Sequence, residues 1–153
     1  MVRLKNFTLL NSDEVLATFI ARSHPSIACF LTNTTPNYEA HKNYINYLKN
    51  QSDKRYFMVF DDDDFMGVIL FTSIKTKEGE AEFGLYKNPR MTSVGNLLMQ
   101  ALLDYAKNEL KLKRLYGRVM KKNIKAIKLY THFGFSPSDD DEEEDIIFMD
   151  KKL

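Results

Sequence analysis

Apolar positions recur every three or four residues in some stretches of the chain and every second residue in others, so both helices and strands are expected. Val2, Leu4 and Asn6 alternate imperfectly with Arg3, Lys5 and Phe7 and suggest a strand over residues 2–9. Asn11 is followed three residues later by Glu14, the form of a capping box, which predicts a helix from Ser12 to Arg22. His24-Pro25 stops it, because the residue before a proline avoids the α region. Thr32 to Asn37 reads as a polar loop. Tyr38, His41, Tyr44, Ile45 and Leu48 then return at helical spacing and predict a second helix.

The middle of the chain switches to strands. Arg55 to Phe60 and Met66 to Lys75 are joined by Asp61-Asp62-Asp63-Asp64, which lacks the spacing of a calcium loop and reads as a solvated hairpin turn. Glu80 to Lys87 forms another strand, ended by Asn88-Pro89. Residues 94–110 carry a wide apolar stripe of Val94, Leu97, Leu98, Ala101, Leu102, Tyr105, Ala106 and Leu110, the pattern of a long helix. Leu115 to Met120 follows as a strand, then a helix opened by Asn123 and ended by Gly134. Phe135 to Leu153 is expected to hold two strands around the acidic run Asp139 to Asp145, a charged hairpin connection. The order β-α-α-β-β-β-α-β-α-β-β lacks strict βαβ alternation, so an α+β sheet with helices on its faces is expected rather than a doubly wound nucleotide fold.

Composition narrows the function classes. A chain of 153 residues with 44% apolar content suits one domain spanning residues 1–153. Lys and Arg total 22 against 21 Asp and Glu, so the net charge of +1 argues against the basic footprint of a dedicated nucleic-acid binder. No leader-like apolar segment and no run of about 18 apolar residues is present, and a soluble, cytoplasmic protein with no membrane partner is expected. Cys29 is the single cysteine and lies among apolar neighbours in S-I-A-C-F-L, the setting of a small buried hydrophobe. Three histidines and one cysteine without C-x-x-C or H-E-x-x-H spacing predict no metal.

Two stretches carry candidate chemistry. Asn123 to Phe135, N-I-K-A-I-K-L-Y-T-H-F-G-F, places Tyr130 on the apolar side of its helix, where it is either a core aromatic or a proton donor. Glu82 to Leu98 runs from a strand through a short loop into the long helix. Such a junction gathers unpaired backbone N–H groups and the positive end of a helix dipole, which suits a phosphate, although an ordinary loop would read the same way.

Together these stretches resemble the GNAT superfamily of acetyl-CoA-dependent N-acetyltransferases, whose pyrophosphate loop reads Arg or Gln, two residues, Gly, one residue, then Gly or Ala. Arg90-Met91-Thr92-Ser93-Val94-Gly95 keeps the first and last positions and has Ser93 for the middle glycine. Asn123, Leu129, Tyr130, Gly134 and Phe135 match the later motif in full. The resemblance implies a central mixed, mostly antiparallel twisted sheet of about seven strands, with about four helices on its faces, splayed at the acetyl-CoA site. It implies Tyr130 as the acid that protonates the departing thiolate, and backbone groups around Leu85 and Tyr86 for the thioester and pantetheine. The amides of Met91, Thr92, Ser93, Val94, Gly95 and Asn96 would take the pyrophosphate, and Asn123 and Lys128 would lie beside the adenosine end. Glu82 is the candidate base, against the alternatives of an exposed strand carboxylate or no base at all.

Arg22-Ser23-His24-Pro25, the strand end E-F-G-L-Y-K-N-P and K-A-I-K-L-Y narrow the resemblance to the pseudaminic-acid pathway N-acetyltransferases (PseH type). That family acetylates the 4-amino group of UDP-4-amino-4,6-dideoxy-N-acetyl-β-L-altrosamine, on the route to flagellin glycosylation. R-S-H-P stands where the family has R-N-H-P. The resemblance implies acceptor contacts from Arg22, His24, His41, Tyr44, Thr72 and Tyr86. A structural role remains open for each: a helix end for Arg22, a turn for His24, the core for Tyr44. The partner would be a UDP-amino sugar, with a homo-oligomer open. The competing readings are acetylation of a protein N-terminus or polyamine, and a non-catalytic acyl-CoA-binding module.

Overall fold

The computed structural model describes residues 1–31, 33, 37–138 and 143–153. Among the described residues, seven strands form one sheet in the order β1-β2-β3-β4-β5-β7-β6. They are β1 (Val2–Asn6), β2 (Arg55–Asp61), β3 (Asp64–Lys75), β4 (Glu80–Lys87), β5 (Arg114–Met120), β6 (Ser136–Pro137) and β7 (Ile146–Lys152). Every neighbouring pair is antiparallel except β4 and β5, which run parallel. Also among the described residues are four longer helices, α1 (Ser12–Ser23), α3 (Tyr38–Leu48), α4 (Gly95–Asn108) and α5 (Ile124–His132), and a single turn of helix, α2 (Pro25–Ala28), that follows α1.

Alternation along the strands sorts the side chains into two cores. Phe57, Val59, Ile69, Phe71, Ala81, Phe83, Leu115 and Val119 pack with Leu98, Leu102 and Ala106 of α4 and with Tyr130 of α5. The other face sets Met58, Phe60, Val68 and Tyr86 against Ala21, Ile45 and Leu48 of α1 and α3. The sheet therefore separates α4 and α5 from the N-terminal helices. This is the expected α+β architecture.

Local chemistry sets the boundaries. The predicted first strand stops at Asn6 rather than residue 9, because the Asn6 side chain accepts from the Thr8 backbone N–H and hydroxyl and turns Phe7–Leu9 into a 3₁₀ helix. Asn11 and Glu14 form both bonds of the capping box. His24 ends α1, as the proline predicts, and also starts α2: its Nδ1 accepts from Ser26 N–H with Pro25 in the first helical position, where its missing N–H is no loss. That second helix start was missed. Asn37 and Asn123 cap α3 and α5 through their side chains, and Gly134, at φ 93°, supplies the left-handed residue that follows α5. Only two residues before the acidic run join the sheet as β6. The loop predicted over Thr32 to Asn37 and the acidic connection predicted over Asp139 to Asp145 fall largely on residues 32, 34–36 and 139–142, outside the described residues. Among the described residues, no helix is long and apolar enough to cross a membrane.

Candidate active site

The site originates in a failure of pairing. Strands β4 and β5 are in register only over Glu80 with Arg114, Ala81 with Leu115 and Glu82 with Tyr116, yet β4 continues to Lys87 and β5 to Met120. Beyond Glu82 the β5-facing edge of β4 has no ladder partner among the described residues, although Leu85 and Tyr86 remain paired to β3 on the other side. The sheet is splayed there. An unpaired strand edge offers backbone donors and acceptors to an extended ligand.

Tyr130 stands at the apex of the splay, on the α4 and α5 face. It is 6% exposed and packs edge-on against Phe83, the first β4 residue past the paired segment, with ring centroids 5.2 Å apart. Phe135 closes the cluster at 5.9 Å from Tyr130. Burial pushes the Tyr130 phenol up to about 12, so it is protonated throughout the physiological range. Its hydroxyl makes no hydrogen bond among the described residues. Gly117, opposite on β5, makes the arrangement possible: a Cβ there would lie 2.6 Å from Phe83 Cε1. Sequence reasoning singled out Tyr130 but missed Phe83 and Gly117, whose signal was a lone glycine in a strand pattern.

The same face carries the candidate phosphate site. Helix α4 starts at Gly95 after Val94, which provides no side-chain cap, in contrast to the Asn-capped α1, α3 and α5, and like α5 it has no acidic residue in its first turn. Its first N–H groups thus meet an anion without competition. The preceding loop is tied down by three bonds: Lys87 Nζ donates to the Met91 carbonyl at 3.0 Å, Met91 N–H donates to the Asn88 carbonyl, and Arg90 N–H donates to Asn88 Oδ1. Thr92 and Ser93 are exposed, Val94 is buried and Asn96 is exposed. Ser93 has φ 58°, the left-handed conformation that glycine adopts most readily, so the serine keeps a glycine-like backbone path at some strain. Asn123 accepts from Ala126 N–H as the cap of α5, and Lys128 is exposed on that helix.

The opposite face gathers a different set. Glu82, Gly84 and Tyr86 share one side of β4, and Tyr86 packs in the core beneath α1 and α3. Arg22, near the end of α1, donates to the Asn33 carbonyl at 2.8 Å. Its buried Nε has no partner, and no carboxylate pairs with it, among the described residues. Burial raises the Tyr86 phenol to about 12 and carries Tyr56 higher still, and the nearby Arg22 guanidinium opposes both shifts. Tyr44 and Tyr56 share a 3.0 Å hydroxyl contact. A cation, three phenols and Glu82 thus lie on one side of the sheet.

The remaining sequence-predicted residues are placed as follows. His41 is 4% exposed, and its Nε2 lies 2.9 Å from Thr18 Oγ1. Thr18 donates its own proton to the Val15 carbonyl, so the His41 ring is the donor in that pair. Burial, then the Arg22 charge, hold His41 down to about 4. His24 is exposed and bonded to Ser26, and Thr72 on β3 is paired with Glu82. Cys29, expected to be buried, is exposed because it falls just past the short α2. Glu82 is not a lone strand carboxylate: its Oε2 accepts from Arg118 Nε at 3.1 Å. No metal-binding cluster of His, Cys, Asp or Glu occurs among the described residues.

Known proteins share this fold. The acetyltransferase PseH of Campylobacter jejuni strain 81-176 is 41% identical over 143 residues, 94% of this chain and 90% of that protein. The crystal structure of Campylobacter jejuni N-acetyltransferase PseH in complex with acetyl coenzyme A superposes with a TM-score of 0.84 at 37% identity, covering 99% of both chains. The spermidine N-acetyltransferase of Vibrio cholerae, at 20% identity and a TM-score of 0.86 over 99% of this chain and 95% of that one, shares the fold. Residues 2–136 match the Acetyltransferase (GNAT) domain, and the chain belongs to the GNAT acetyltransferase family.

Proposed function

We propose that the protein transfers acetyl from acetyl-CoA to the 4-amino group of a UDP-linked amino sugar, UDP-4-amino-4,6-dideoxy-N-acetyl-β-L-altrosamine, in the cytoplasmic synthesis of pseudaminic acid for flagellin glycosylation. The observation that carries the choice of an anionic acceptor is Arg22, a cation with a buried, unpartnered Nε on the same side of the sheet as Glu82. A guanidinium is suited to a diphosphate through its planar fork of donors. Tyr86 and Glu82 are four residues apart along one face of β4, about 13 Å at the rise of an extended strand. That separation is suited to a ligand with phosphate at one end and an amine at the other. A polyamine would favour an acidic groove instead.

The donor side fits acetyl-CoA. The uncapped start of α4 and the tethered Met91–Asn96 loop would hold the pyrophosphate, and the free edge of β4 the pantetheine. Acetyl-CoA supplies an activated thioester. The neutral amine attacks the thioester carbon, a C–N bond forms, and the C–S bond breaks. Glu82 would take the proton shed by nitrogen, directly or through water, and Tyr130 would protonate the departing sulfur. A phenol raised to about 12 is reliably charged with its proton before the step and must be restored from solvent after it.

The test is an acetyl-transfer assay against UDP-amino sugars, peptides with free N-termini, and spermidine. Saturable turnover confined to the UDP-4-amino sugar is expected. Turnover with spermidine or peptides alone would reject the sugar assignment, and tight acetyl-CoA binding without transfer to any amine would reject an enzyme.

A further inference from the structure

We infer that Arg118 is a positioning residue for the transfer, clamping one oxygen of Glu82 so that the other points at the acceptor amine. The inference rests on the acetyl-transfer reading above and adds a residue to it.

The location distinguishes Arg118 from the other basic residue of β5, Arg114. Arg114 lies inside the paired segment, where it bonds Glu80 at 2.9 Å and also Asp150 on β7, tying three strands together. Arg118 lies two residues beyond Tyr116, the last β5 residue paired to β4. Its side chain reaches back to Glu82, the last paired residue of β4, and so bridges the first open step of the splay. Both side chains are partly exposed, 31% for Arg118 and 23% for Glu82, so the pair lies at an accessible mouth. Only Glu82 Oε2 is bonded, and Oε1 has no hydrogen-bond partner among the described residues.

The surroundings favour a site over a simple surface ion pair. Thr72 is the β3 partner of Glu82, and directly after it β3 slips in register, with Ser73 in the left-handed region at φ 49°. Bulges and strained backbone concentrate where side chains are re-aimed. Tyr116 lies beside Glu82 on β5, and burial first, then the Glu82 charge, push its phenol above its usual range. Thr72, Ser73, Glu82, Tyr116 and Arg118 thus converge where the strands part. An exposed ion pair adds little to stability, so its value here lies in geometry. A carboxylate fixed by one oxygen presents the other in a single orientation, and loss of such alignment lowers the fraction of productive encounters.

The experiment is a double-mutant cycle on turnover with Arg118→Met, Glu82→Gln and the pair. The acceptor is whichever amine the wild-type enzyme acetylates, so failure of the sugar assignment does not impair the test. Arg118→Met is expected to lower kcat about tenfold with the KM for acetyl-CoA unchanged. The double variant should be no slower than Glu82→Gln, and Arg118→Lys should recover part of the loss. Should Arg118→Met fold poorly, Arg118→Lys measured with and without Glu82→Gln gives the same coupling. Wild-type kcat in Arg118→Met, or losses that simply multiply in the double variant, would overturn the inference.

Discussion

Phe83 and Tyr130 meet edge to face with ring centroids 5.2 Å apart and planes at 71°, at the point where two parallel strands lose their register. The contact fixes the ring of Tyr130 from a strand while its backbone belongs to a helix, so the hydroxyl is located by two elements at once. Replacement by phenylalanine keeps the ring contact and removes only the oxygen. Tyr130→Phe should lower kcat about 100-fold, with the KM for acetyl-CoA within twofold, in steady-state assays. An unchanged kcat removes Tyr130 from the mechanism. The folded phenol sits at about 12 against an ordinary 10, so the folded state holds this proton more tightly and stability declines as pH rises from 10 to 12. Tyr130→Phe should flatten that part of a stability profile.

Gly117→Ala should disturb the same contact from the other strand. The added carbon would lie 2.6 Å from Phe83, closer than packed atoms approach, and Phe83 has Tyr130 and Phe135 behind it. Overpacking of this kind costs about 1–3 kcal/mol. Urea unfolding should show that loss, accompanied by a lower kcat because the Tyr130 ring is displaced.

Ser93→Gly is expected to improve donor binding. A serine at φ 58° carries a left-handed strain that glycine does not. Relief of about 1 kcal/mol greater in the bound loop than in the free one corresponds to a KM for acetyl-CoA roughly fivefold lower. The opposite substitution, Ser93→Val, should raise it, since β-branched residues resist this conformation. Equal KM values across the three would show that the strain is the same with and without acetyl-CoA and has no bearing on donor binding.

His41 makes stability depend on acidity. The ring titrates near 6.5 when unfolded and near 4 in the fold, so between those values the unfolded chain holds a proton that the folded chain excludes. The contribution is complete above pH 6.5 and is lost as pH falls toward 4. From pH 7 to 5.5 the loss is about 1 kcal/mol, and His41→Gln should remove it from a denaturation series.

Arg22→Gln should raise the KM for the acceptor at least tenfold, leave that for acetyl-CoA alone and not reduce thermal stability, because the lost cation has no carboxylate to orphan among the described residues. A matching fall in stability would make Arg22 a structural residue.

The fold was legible where local chemistry and burial agree. The capping box at Asn11 and Glu14, the helix opened by Asn123 and the strand Glu80–Lys87 all lie where the residues place them. Readings failed where a side chain bonded its own neighbours, as Asn6 does to Thr8 and His24 to Ser26, since short-range bonds of that kind leave the hydrophobic period untouched. Tyr130 was legible because helical spacing turns it inward. Phe83, Gly117 and Arg118 were not, because their roles depend on how far β4 pairs with β5. Strand register is a property of two segments and is written in neither alone.

Among the described residues, three residue pairs hold β4 to β5, and then the sheet opens. Kinetics should carry the mark of that opening. On the proposed placement, with the thioester entering the slot from one side and the amine from the other, both substrates would be present at once, with neither leaving before the second arrives. Initial-rate lines should therefore intersect rather than run parallel, and no acetylated enzyme should accumulate when acetyl-CoA is supplied without an amine.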